Sequence, residues 1–185
     1  MNKPIDISGI ILNTERLVLR SWRESDLEDL FAYASVDGVG QMAGWPPHKS
    51  IEESRKRLDR FISSKKTFAL EYQGRVIGSC GLVDYNEEYY PELTLSKGRE
   101  IGYVLSKEHW GHGLMPEAVK AVIRYLFEAE NLDFIIAGHF ERNKQSARVI
   151  QKCGFEYVKT IPYITQYGTV ETSIENILYN PHNNR

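Results

Sequence analysis

Residues 100–127 read EIGYVLSKEHWGHGLMPEAVKAVIRYLF. The first seven alternate as a half-buried strand does, and from Leu114 onward apolar residues recur at the spacing of a helix running to about Ala129. Between the two stand Gly111 and Gly113. Glycine at a strand-to-helix junction lets a ligand come close to main chain, and Pro116 in the first helical turn gives up an amide that has no helical partner. Such a junction gathers unpaired N–H groups and the positive end of a helix dipole, which is the local chemistry of phosphate binding. Glycine also serves plain turn geometry, so the junction alone leaves both uses open. The pattern is neither GxxxxGK[ST] nor GxGxxG, because Leu114, Met115 and Pro116 follow Gly113. ATP and dinucleotide sites lose their support.

Working outward, 67–72 (TFALEY) and 75–83 (RVIGSCGLV) form a hairpin around Gln73-Gly74, rich in β-branched and aromatic residues. Before it, 16–21 (RLVLRS) alternates as a strand, Ser25 or Asp26 caps a helix running toward Ala34, and GWPPHKS (44–50) is a break. Ser50 with Glu53 three residues on has the capping-box pattern and opens a helix to about Ser63. Residues 84–97 make a polar, tyrosine-containing loop. After the central helix come a short buried strand at 133–139 (DFIIAGH), a helix at 143–152 ended by Gly154 as a left-handed cap, and a closing hairpin of 155–164 and 170–178. The order is strand, two helices, three strands, helix, strand, helix, two strands. An antiparallel run followed by a βαβ crossover predicts an α/β domain with a mixed sheet of seven strands and four helices on both faces. The expectation is one domain over 1–185, with residues 1–13 as a short N-terminal arm.

The chain has 185 residues, 42% hydrophobic and 26% charged, with a formal net charge of -2. That balance is of an ordinary globule and gives no bulk electrostatic reason to bind nucleic acid or an anionic membrane. Nothing reads as a secretory signal or approaches the ~20 apolar residues of a membrane helix, and a cytoplasmic protein is expected. Cys80 and Cys153 form no CxxC, and both read as core residues of a protein in a reducing compartment. His109 and His112 are spaced i, i+3 across an intervening turn, and no metal is expected there.

Three segments carry a family resemblance. Residues 100–118 (EIGYVLSKEHWGHGLMPEA) resemble the pyrophosphate-binding motif of the GNAT acetyltransferase superfamily, R/Q-x-x-G-x-G/A, with Gly113 as the central glycine. Residues 141–158 (ERNKQSARVIQKCGFEYV) resemble its N-x-x-S...K-x-GF stretch. Residues 14–33 (TERLVLRSWRESDLEDLFAY) are similar to the first strand and helix of the RimJ/RimL branch, N-terminal acetyltransferases of ribosomal proteins. Trp110 stands where the motif has Arg or Gln, and Met115 where it has its last Gly or Ala. The helical tyrosine of many relatives would fall at about Ile150 or Gln151 and is absent.

The resemblance implies a mostly antiparallel, strongly twisted sheet and acetyl transfer from acetyl-CoA to an amine by direct attack. It implies that main chain at Gly111, His112, Gly113, Leu114 and Met115 holds the CoA diphosphate and that main chain at Tyr103, Val104 and Leu105 lies along the pantetheine arm. Asn143 is then a further pantetheine contact, as well as an N-cap. Ser146 is the group at the sulfur and Glu100 the base, acting through a water; for Glu100 a solvated, paired strand-end carboxylate is the alternative. The acceptor expected first is a peptide N-terminal α-amine, with a small amine (polyamine, amino acid or aminoglycoside) as the alternative, Trp45, Tyr85, Tyr163 and Tyr167 as its wall and Glu87, Glu88 and Glu92 available to attract a cation. An acidic acceptor cleft would favour a polyamine and an open groove a peptide terminus. Relatives commonly dimerise through the final strands. A non-catalytic acyl-CoA-binding module is the reading from another class.

Overall fold

The computed structural model describes residues 4–183. The first three residues of the expected N-terminal arm lie outside the described residues. The rest of the arm is not loose: Ile5 and Ile7 are buried, and the Ile7 N–H donates to the Lys65 carbonyl at 3.0 Å.

The strands are β1 (Leu12–Asn13), β2 (Leu17–Ser21), β3 (Thr67–Tyr72), β4 (Arg75–Val83), β5 (Gly98–Leu105), β6 (Phe134–Phe140), β7 (Glu156–Ile164) and β8 (Val170–Tyr179). They form one sheet among the described residues, in the order β1-β2-β3-β4-β5-β6-β8-β7. Seven strands are expected from the sequence; the eighth is β1, two residues paired to β2 and too short to show an alternation. Among the described residues the α-helices are α1 (Leu27–Ala34), α2 (Ile51–Ser64), α3 (Leu114–Glu128) and α4 (Lys144–Lys152).

The period-2 pattern of the strands distributes the core. Leu19, Phe68, Leu82, Ile101 and Ile135 turn to one face, where they pack with Leu114, Val119, Val122 and Leu126 of α3. Trp22, Ala69 and Val76 turn to the other, where they meet Leu30, Tyr33 and Leu58 of α1 and α2. The polar loop expected at 84–97 is in part a lid: Tyr85, Tyr90 and Leu93 are buried on Phe134, Ile136 and Ile177. At α2 only half of the capping box forms. Ser50 Oγ accepts from the Glu53 N–H at 3.4 Å, while the Glu53 carboxylate turns to the Lys49 N–H at 2.7 Å.

Every neighbouring pair is antiparallel except β5 and β6, which run parallel and pair only through Gly98↔Phe134, Arg99↔Ile135 and Glu100↔Ile136. Beyond Glu100, β5 stays with β4 as far as Gly78↔Leu105, and β6 stays with β8 as far as Phe140↔Ser173. The two halves of the sheet therefore part. Their joint is tight: a Cβ on Gly98 would lie 2.1 Å from the Phe134 ring, and Arg99 beside it is 2% exposed. Gly98→Ala should destabilise the protein by about 1–3 kcal/mol through overpacking. A thermal melt checks this, and an unchanged midpoint would mean that the joint yields.

Candidate active site

The parting of β5 from β6 leaves main-chain groups without a strand partner. Ser106 donates its N–H to the Ile77 carbonyl at 2.7 Å on the β4 side, and Asp133 donates to the Lys97 carbonyl at 2.7 Å on the β6 side. With the β4 register, this alternation turns the main chain of Gly102 and Val104 to β4 and that of Ile101, Tyr103 and Leu105 to the opening. Of the three main-chain positions expected along the pantetheine arm, Tyr103 and Leu105 face the gap and Val104 does not. The Leu105 carbonyl is taken by the Trp110 indole N–H at 2.8 Å. Trp110 thus ties the glycine turn to the end of β5.

At the wide end of the opening stands the turn before α3. Gly111 and Gly113 have φ values of 83° and 78°, left-handed conformations that favour glycine, and Gly113 is the N-cap of α3. A Cβ added at Gly111 would meet no heavy atom within 4 Å, so the turn presents bare backbone to solvent. His112 is exposed, whereas Leu114 and Met115 bury their side chains and offer only main chain. The turn is clamped from β2's side by a residue to which sequence reasoning gave no site role. Arg16 donates from Nη1 to the His112 carbonyl at 2.9 Å and from Nε to Glu117 Oε2 at 2.7 Å. Glu117 also accepts from Thr14 Oγ1 at 2.6 Å and from the Arg16 N–H at 2.8 Å. Burial alone would raise the Glu117 carboxyl, but these hydrogen bonds hold it below the usual carboxylate range. Glu117 is an anchor for the turn.

Opposite the turn, across a cleft of about 390 Å³, lie Asn143 and Ser146 at the start of α4. Asn143 is buried and uses both ends of its amide. Its Oδ1 accepts the Ser146 N–H at 3.0 Å as an N-cap, and its Nδ2 donates to the Met42 carbonyl at 3.2 Å. Ser146 Oγ lies 2.8 Å from the Tyr103 hydroxyl, a contact that the sequence does not announce.

Deeper in the same cleft is Glu100, half-buried, on the face of β5 opposite Tyr103. Burial, and then the negative charge of Glu175, pushes its carboxyl up to about 7. Glu175 on β8 is 5% exposed and lies over Gly138, where a Cβ would come within 2.7 Å of its Oε1. It accepts from Ser173 Oγ at 2.6 Å and from the Tyr90 hydroxyl at 3.1 Å. Sequence reasoning did not single out Glu175. The available signal was a lone carboxylate in the otherwise uncharged run SIENIL.

The expected acceptor wall is brought together only in part. Tyr163 lines the cleft, and burial followed by Glu100 raises its phenol above the ordinary value. Tyr85 is core, its hydroxyl donating to the Leu93 carbonyl at 3.0 Å, and Trp45 lines a separate groove against α1 and α2. Glu87, Glu88 and Glu92 are exposed on the loop away from the cleft. Val39, Met42 and Ala43 of the α1–α2 connection fill the place instead. That connection is tied across the opening by Arg142 Nη2 to the Gln41 carbonyl at 3.0 Å and by the Gln166 N–H to the Gly44 carbonyl at 2.8 Å.

Both thiols are buried. Burial pushes Cys153 up to about 11 and Cys80 up to about 12, which leaves both protonated and poor nucleophiles at neutral pH. Among the described residues no three His, Cys, Asp or Glu side chains converge as metal ligands would, and no helix is long and apolar enough to cross a membrane.

Comparison with known proteins places this architecture. Residues 16–156 match the family model described as an acetyltransferase (GNAT) domain. The chain is 49% identical over 153 residues to the probable N-acetyltransferase YjcK of Bacillus subtilis, covering 83% of this chain and 78% of that protein. Among solved structures, a GNAT-family acetyltransferase from Bacillus anthracis superposes with a TM-score of 0.79 at 21% identity, covering 92% of this chain and 99% of that one. The ribosomal-protein-S5-alanine acetyltransferase of Vibrio fischeri superposes with a TM-score of 0.73 at 23% identity, covering 96% and 100%. A sheet that parts beside a glycine turn, and a family match over most of the chain, lead to one conclusion: the chain belongs to the GNAT family and is an acetyl-CoA-dependent acetyltransferase.

Proposed function

We propose that the protein transfers acetyl from acetyl-CoA directly to a primary amine held with the donor in one ternary complex. The observation that carries this is the continuity of the cleft: one opening runs from the bare glycine turn, past the main chain of Tyr103 and the Leu105 N–H, to the raised carboxyl of Glu100. The N–H groups of 111–115 suit a diphosphate, helped by the start of α3. Main chain at 103 and 105 suits an extended amide-bearing arm, which would add to β5 as a strand does. Glu100, poised near neutrality, takes the proton of the attacking amine through a water, and the Ser146 hydroxyl donates to the sulfur as charge develops there.

For the acceptor we favour a small cationic amine. Two carboxylates, Glu100 and Glu175, stand in the deep end, and the tied α1–α2 connection narrows the way in. Desolvated negative charge attracts an ammonium and discriminates against neutral or anionic ligands. A peptide α-amine is the second reading, supported by the likeness to the ribosomal-protein-S5-alanine acetyltransferase fold. Incubation with acetyl-CoA and a panel of diamines, polyamines, amino acids and N-terminal peptides, followed by thiol release and acceptor mass, separates the two. Acetylated diamines or polyamines with unmodified peptides are expected. Modified peptides alone would reverse the order.

A further inference from the structure

Tyr103 follows Glu100 by three residues on β5, and an odd separation along a strand puts two side chains on opposite faces. Glu100 shares the face of Glu175 and Tyr163, whereas the Tyr103 ring packs against the core cluster beneath α3 and α4. The tyrosine hydroxyl is 2.8 Å from Ser146 Oγ and 3.4 Å from the Ser146 carbonyl. Both residues line the cleft, so the pair of hydroxyls links β5 to α4 where the sheet has opened. Ser146 is itself fixed through its N–H by the Asn143 cap. Burial raises the Tyr103 phenol above its ordinary value despite the opposing hydrogen bond to Ser146, and the group stays protonated through the neutral range.

A phenol is a better hydrogen-bond donor than a serine hydroxyl. When the phenol donates to Ser146 Oγ, the serine O–H is polarised and becomes a stronger donor in turn, since linked hydrogen bonds reinforce one another away from bulk water. We infer that Tyr103 is a positioning residue for the leaving thiolate, acting from β5 through Ser146. This rests on the acetyl transfer proposed above and extends it. In the step, the bond from amine nitrogen to carbonyl carbon forms and the carbon–sulfur bond breaks, leaving its electron pair on sulfur. The amine's proton passes to Glu100 and then to solvent. The Ser146 hydroxyl, aligned by Tyr103, holds the thiolate until it takes a proton from solvent, and nothing is oxidised or reduced. Base and thiolate donor thus stand on the two faces of one strand, with the amine arriving on the first and the thiol leaving on the second.

The test needs no knowledge of the acceptor. CoA bound to the protein is titrated while its thiolate is followed by ultraviolet absorbance, and its affinity is measured beside this by calorimetry. Bound CoA should titrate at lower pH than free CoA. Tyr103→Phe, which keeps the ring, should move that midpoint up by about one pH unit, the scale of one hydrogen bond to the charged form. Ser146→Ala should move it at least as far, and the double variant no further than Ser146→Ala alone, because the phenol acts through the serine. A purely structural role for Tyr103 would leave the midpoint in place. An unchanged midpoint in Tyr103→Phe, an unchanged midpoint in Ser146→Ala, or fully additive shifts would overturn the inference. Absence of CoA binding by the unaltered protein is read in the calorimetric trace; it would overturn the acetyl-transfer reading, and this assignment with it.

Discussion

Glu100→Gln should lower kcat by roughly 100-fold or more, the usual scale for loss of a positioned base, with little change in the affinity for acetyl-CoA. The amide keeps size and packing but cannot take a proton. Because the Glu100 carboxyl is pushed up to about 7, activity of the unaltered enzyme should rise with pH through that region. Glu100→Gln should erase this acid limb. Glu175→Gln removes the neighbouring charge and should move the limb to lower pH, since a carboxylate facing one fewer negative charge ionises more readily. A profile with the same limb in all three proteins would remove Glu100 from the role of base.

The same carboxyl links function to stability, with a sign that can be worked out. Its folded value lies above the ordinary 4.5, so between about 4.5 and 7 the folded chain holds a proton that the unfolded chain has released. Stability from this group therefore declines as pH rises through that window, and the loss is complete above about 7. Glu100→Gln should melt above the unaltered protein at pH 8, and the difference should shrink toward pH 4. A base poised near neutrality is held at some expense of stability.

Gly113→Ala should produce two separable losses. With φ at 78°, an alanine there is strained by about 1–2 kcal/mol, and the folded state weakens accordingly. In addition, the methyl group stands at the helix start proposed to meet the diphosphate, and CoA affinity should fall by roughly tenfold or more, the effect of a loss of about 1.4 kcal/mol. Gly74→Ala is the control. Its φ is 79° in the β3–β4 turn, an added Cβ would have nothing within 4 Å, and it has no part in the cleft. Comparable destabilisation in both variants, with weakened CoA binding in Gly113→Ala alone, is the expected pattern. Equal CoA affinity in the two would reduce Gly113 to turn geometry.

What could be read from the chain divides along range of interaction. The hairpin limits expected at 67–72 and 75–83 coincide with β3 and β4, because Gln73 and Gly74, with φ values of 50° and 79°, make a tight turn that local sequence specifies. The glycine junction, the Asn143 cap and the Gly154 terminus were legible for the same reason. Glu175 was not: it meets the Glu100 side of the cleft only after β8 crosses the molecule to lie beside β6, and no periodicity in either strand reports that pairing. The Tyr103–Ser146 contact likewise depends on how α4 sits over the split. Arg16 read as a strand residue, since its partners, His112 and Glu117, lie a whole half-sheet later in the chain. The buried side of the 84–97 loop was hidden by its polar composition, in which only Tyr85, Tyr90 and Leu93 face inward.

Direct transfer between donor and acceptor in one cleft has a signature in the mass of the intact protein. The protein is mixed with acetyl-CoA, first alone and then with an accepting amine, while free thiol and protein mass are followed together. Thiol release that requires the amine, with the protein mass unchanged throughout and the acetyl group recovered on the amine, is the predicted result. Thiol release without amine, accompanied by an acetyl group on the protein, would contradict direct attack and return a side chain such as Cys153 to consideration as a carrier.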